Sequence, residues 1–95
     1  MSAGPQPSAS YSVTIRVQLP HAPGSFAKVA GAIGDTGAIL GAIDLVRVED
    51  GRTVRDVTVS CADVAHGEAV VAAIETLENV SADHVSAPLL ASLPK

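Results

Sequence analysis

Aromatic residues are almost missing from this chain. One Tyr, one Phe and no Trp stand among 95 residues, which argues against stacking on nucleic-acid bases. Positive charge is scarce as well. Six Lys and Arg against ten Asp and Glu leave a formal net charge of −4, and the six do not cluster. A binder of phosphate backbones would show a basic patch, so no nucleic-acid partner is expected. The single Cys, Cys61, excludes an internal disulfide and fits a reducing, cytoplasmic setting. No apolar run approaches the ~20 residues of a membrane span. The opening "MSAGPQPSAS" has neither the basic n-region nor the apolar h-region of a secretory signal. His21, His66 and His84 are scattered and show no metal-ligand spacing with Cys61, so neither a metal nor another cofactor is expected.

What is present is small and aliphatic. A chain of this length makes one domain that buries roughly 60–65% of its unfolded surface, and a partner subunit would add stability. Residues 1–10 are rich in Pro, Ser and Gly and read as a disordered tail. From Tyr11 the pattern changes. Tyr11, Val13, Ile15, Val17 and Leu19 fall on one face and Ser12, Thr14, Arg16 and Gln18 on the other, the period of a half-buried strand. Pro20 stops it. A helix follows from about Gly24 to Thr36, with Phe26, Val29, Ala30 and Ile33 on its inner stripe and Gly37 as its left-handed terminator. Asp50-Gly51 marks a hairpin turn. The returning strand points Val57, Val59 and Cys61 inward and Asp56, Thr58 and Ser60 outward. The outgoing strand breaks the rule: Ile39, Leu40, Ala42, Ile43, Leu45 and Val46 place apolar groups on both faces, as if something outside the chain covers the second. Asp63 caps a second helix carrying Val70, Ala73, Ile74 and Leu77, Asn79 ends it, and a last strand runs from about Val80 to Ala87. Residues 88–95 form a tail or the start of a linker.

The element order is that of the α+β ferredoxin-like βαββαβ fold. It predicts a four-stranded antiparallel sheet of order 4-1-3-2 with both helices on one face. That fold hosts many functions, so chemistry must come from a site. No catalytic constellation is visible. Asp63, His66 and Glu68 suit the first turn of a helix, with His66 solvated on its surface, and Cys61 reads as a buried strand residue. "GAIGDTG" lies inside a helix and is no phosphate loop. One stretch remains, "HAPGSF", where strand hands over to helix. A helix start has free N–H groups and favours an anion such as a carboxylate. Gly24 leaves room for it, and His21 adds a donor. The plain alternative is that Pro23-Gly24 only make the corner.

Over these same residues, "IRVQLPHAPGSFAKVAGAIGDTGAILGAIDLV" resembles the ACT domain, a small regulatory module of metabolic enzymes. Pro23-Gly24, Phe26, Val29, Ile33, Gly37 and Ile43 stand at matching positions. The likeness covers residues 11–87. "YSVTIRV", "GAIDLVRV" and "GRTVRDVTV" look like the ACT module at the N-terminus of some bacterial NAD-dependent malic enzymes. The resemblance implies a regulatory rather than an enzymatic role. It implies side-by-side pairing through the second strand and first helix in a homodimer or higher homo-oligomer, with a catalytic domain as a possible partner. A small effector, an amino acid or similar carboxylate, would sit at the interface. Its implied contacts are His21, Ala22, Pro23, Gly24 and Ser25, with Ala38, Ile39 and Leu40 from the facing strand. His21 departs from the Asn or Asp common in the family. A structural dimerisation module that binds no ligand is the alternative.

Overall fold

The computed structural model describes residues 11–85. The expectations for residues 1–10, for the end of the last strand and for 88–95 lie outside them. Six elements follow the expected order: β1 (Ser12–Pro20), α1 (Ser25–Asp35), β2 (Ile39–Glu49), β3 (Arg52–Ser60), α2 (Val64–Glu75) and β4 (Ser81–Val85). They build one antiparallel sheet in the order β2-β3-β1-β4.

The alternation in β1 does what its period dictates. Ile15, Val17 and Leu19 are buried, and across β3 they face Val57, Arg55 and Thr53. Val29 and Ile33 of α1 and Val70 and Ile74 of α2 join Ile15, Val17, Leu19, Val57, Val59 and Cys61 in a single core. Both helices therefore cover the same face of the sheet. The core is made of branched aliphatic groups, each contributing ~1.5–3 kcal/mol on burial.

The opposite face is largely polar, with Val54 buried between Gln18 and Arg47. Register puts Asp83, Arg16, Asp56 and Asp44 side by side across β4, β1, β3 and β2. Arg16 donates from Nε and from one terminal nitrogen to the two carboxylate oxygens of Asp56, at 2.8 and 2.9 Å. The bidentate hydrogen bonds and the adjacent cation hold the Asp56 carboxyl below its usual range against a smaller opposing effect of burial.

Strand β2 departs from the reading of a strand apolar on both faces. Its pairing with β3 is broken by irregularities between Leu40 and Ile43 and between Leu45 and Arg47. Each break shifts the phase by one residue. Leu40, Ile43, Leu45 and Val48 thereby stand opposite Val59, Val57, Arg55 and Thr53, all on the helix side. Gly41 sits at the first break, where an added Cβ would lie 3.3 Å from the Thr58 carbonyl oxygen. β2 is also the sheet edge: it meets the helical layer at Leu40, and from Gly41 to Glu49 every residue is exposed. Ile39, Ile43, Leu45, Val46 and Val48 are 37–59% exposed.

The connections follow their chemistry. Asp50 and Gly51 both take positive φ, 54° and 74°, as a tight hairpin with right-handed strand twist requires. Asp63 caps α2 by accepting the His66 N–H at 2.8 Å. His66 itself is not solvated: it is 4% exposed. Its Nδ1 accepts the Ala62 N–H at 2.9 Å and its Nε2 donates to the Thr36 carbonyl at 2.8 Å. The neutral ring with its proton on Nε2 meets both partners, and so pins the end of α1 to the start of α2. The helical period placed His66 on a surface because it carries no information about the neighbouring helix end.

Candidate ligand-binding site

The site starts where Pro20 ends β1. The His21 N–H donates to the Gly51 carbonyl at 2.9 Å, fastening the first loop to the hairpin turn. The His21 ring then bonds through Nδ1 to the hydroxyl of buried Thr53 at 2.8 Å. A turn closes by the Ser25 N–H donating to the Ala22 carbonyl at 3.2 Å. Gly24 caps α1 with φ 82°. This left-handed conformation costs an L-residue ~1–2 kcal/mol, while a Cβ at Gly24 would meet nothing within 4 Å. Backbone angle, then, demands the glycine at this corner. The same residue leaves α1 without a side-chain cap, so the first-turn N–H groups after that of Ser25 keep their capacity for an external acceptor.

A cleft of about 360 Å³ opens beside this corner. It is lined by Leu19 and Pro20 at the end of β1, by His21, Ala22, Pro23, Ser25 and Phe26 of the loop and first helical turn, and by Thr53 and Arg55 of β3. The Arg55 guanidinium lies over the Phe26 ring, 5.8 Å from its centre, within cation–π range. The expected loop residues His21, Ala22, Pro23 and Ser25 thus line one cleft, with Gly24 forming the turn behind them. His21 to Gly24 are exposed, so the loop is open to solvent although His21 is bonded to its own chain.

Thr53 and Arg55 are cleft residues that sequence reasoning missed. A signal existed: Arg55 occupies an inward phase of β3 shared with Val57, Val59 and Cys61, where alternation calls for an apolar group. Ala38, Ile39 and Leu40 do not join the cleft within this chain. They follow the C-terminus of α1, whereas the loop precedes its N-terminus, and the 11-residue helix is ~16 Å long. Register agrees: Ile39 pairs beside Ser60 and Ser12, whereas Glu49 pairs beside Arg52 and Pro20. Ala38 is buried in the core, Leu40 is half-buried and Ile39 is 59% exposed. A second cleft between α1 and the end of α2 holds both Lys28 and Glu78. Cys61 is fully buried, and burial together with the charge of Asp63 pushes its thiol pKa up, which makes it a poor nucleophile.

An α+β sandwich of this topology is the ferredoxin-like βαββαβ fold, here with a bare apolar edge strand and an open cleft at its first loop. The family model of the ACT domain matches residues 7–82, and the chain belongs to that family. ACT domains are typically regulatory and ligand-binding rather than catalytic. The chain is 33% identical over 78 residues to an NAD-dependent malic enzyme of Geobacillus stearothermophilus, covering 82% of this chain and 16% of that protein. It is 33% identical over 64 residues to NAD-dependent malic enzyme 1 of Bacillus subtilis (strain 168), covering 67% of this chain and 15% of that one. It therefore spans under one fifth of the length of these relatives. The ACT domain of the GTP pyrophosphokinase of Chlorobium tepidum has the same fold, with a TM-score of 0.66 at 13% identity over 79% of this chain and 97% of that one.

Proposed function

We propose that this chain is a ligand-sensing ACT module that forms a homodimer or higher homo-oligomer and binds a small carboxylate or amino-acid effector between its subunits. The exposed apolar edge of β2 carries the reading. A strand edge with unpaired backbone groups and Ile39, Ile43, Leu45, Val46 and Val48 bare calls for a second copy. A two-fold axis through β2 pairs it antiparallel with its counterpart. The start of the partner's β2 then lies against the end of this one, beside the first loop. Ala38, Ile39 and Leu40 would come to the cleft from the second copy, which accounts for their separation within one chain.

The mechanism is linkage. A ligand held by residues of both subunits binds the dimer better than the monomer, so it stabilises association by that difference in affinity. A catalytic domain joined to the module would feel the change through the subunit arrangement. The resemblance to NAD-dependent malic enzymes supports an enzyme of that kind, in the cytoplasm, as the regulated partner. No helix among the described residues is long and apolar enough to cross a membrane.

One observation favours the second reading, a dimerisation module without ligand: the His21 ring already has a partner in Thr53. Thermal melting with amino acids and dicarboxylates, alongside sedimentation, separates the two. A ligand at a hundredfold excess over its Kd adds ~2.7 kcal/mol and should shift the chain toward dimer. A dimer whose melting no ligand moves would leave the structural role alone.

A further inference from the structure

The cleft beside the first loop has one electrostatic sign. Its ionisable lining consists of Arg55 and His21, and no Asp or Glu lines it. Elsewhere Arg16 is paired with Asp56 and Arg47 with Glu49, while Lys28 and Arg52 lie outside this cleft. Among the described residues Arg55 has no carboxylate within ion-pair distance. It is half-buried, and its contact is the face of Phe26. A guanidinium removed from part of its water and given an aromatic face but no anion lacks the bidentate acceptor its geometry suits. The Ser25 hydroxyl can donate as well, and the start of α1 has no side-chain cap and presents its positive dipole end.

We infer that this cleft selects an organic-acid anion over a zwitterionic amino acid, and that Arg55 is the residue that makes the selection by taking the carboxylate. This rests on the ligand-sensing reading and narrows its ligand class. An amino acid would bring its ammonium into a lining that offers two basic side chains and no counterion. An organic acid of the same skeleton brings the carboxylate alone. The residues assigned to the second copy, Ala38, Ile39 and Leu40, carry no charge and would cover the carbon skeleton.

The test uses matched pairs that differ by one ammonium: propionate and alanine, succinate and aspartate, glutarate and glutamate. Each is titrated calorimetrically into the protein and into the Arg55→Met and Arg55→Lys variants, with free-protein melting and sedimentation as checks of the fold. In the native protein at least one organic acid should bind tenfold or more tightly than its amino-acid counterpart. Arg55→Met should lose that affinity by tenfold or more. Arg55→Lys, which keeps the charge without the fork, should retain part of it, and it carries the test should Arg55→Met fail to fold. Equal or tighter binding of the amino acids, or an Arg55→Lys affinity equal to wild type with Arg55→Met unaffected, overturns the inference and leaves ligand sensing standing. No binding by any of the six overturns both.

Discussion

Replacing His66 with Ala should be among the most damaging single changes outside the aliphatic core. The ring is 4% exposed and makes two hydrogen bonds, to the Ala62 N–H and the Thr36 carbonyl. Truncation leaves both backbone groups without that partner, and each orphaned buried group costs ~1–3 kcal/mol. Thr36 and Ala62 are themselves half-buried, so water recovers part of the loss and the lower half of that range applies, roughly 2–4 kcal/mol for both together. At ~4–8 °C per kcal/mol for a domain of this size, the melting temperature should fall by at least ~8 °C. Two partial replacements divide the effect. His66→Asn puts an oxygen near the position of Nδ1 and should keep the Ala62 bond. His66→Gln puts a donor near the position of Nε2 and should keep the Thr36 bond. Urea unfolding of the four proteins measures each. A His66→Ala variant within ~0.5 kcal/mol of wild type, the range of ordinary surface changes, would refute the pin between the helices.

Other perturbations probe other parts of the argument. Because the folded pKa of Asp56 is depressed by Arg16, its contribution is present above the ordinary carboxylate value near ~3.9 and is lost as pH falls through the lower folded value. Urea midpoints between pH 6 and pH 2.5 should decline over that acid window, and Asp56→Asn should lack this part of the decline. Gly24→Ala should destabilise by ~1 kcal/mol through its φ of 82°, with Gly24→Asn recovering part, since Asn tolerates that region. A Gly24→Ala variant as stable as wild type would mean the corner does not require glycine. Leu45→Asp changes a side chain that is 56% exposed, so monomer stability should move by less than ~1 kcal/mol, while sedimentation should show the dimer lost. An unchanged dimer would place the subunit contact elsewhere.

Short-range periodicity was enough for the six elements and their order, because each alternating or helical run in this chain answers to its own neighbours. The Asp50-Gly51 turn, the Asp63 cap and the buried set Ile15, Val17, Val29, Ile33, Val57, Val70 and Ile74 were legible for that reason. The loop residues of the candidate cleft were legible too, since Pro and Gly announce a corner wherever they stand. Arg55 was overlooked although its inward phase was countable, since phase alone does not say that Phe26 lies beneath it.

Properties set by long-range pairing could not be read that way. The phase of β2 after Leu40 depends on how its bulges meet β3, and so the apolar residues that looked two-sided lie largely on one. His66 is buried by a helix end 30 positions away. Within one chain Ala38 to Leu40 lie at the far end of the sheet from the first loop, a separation that local pattern does not encode. Local patterns carry the energy of a strand or helix with its own neighbours, whereas register, edges and clefts come from contacts between segments that only folding brings together.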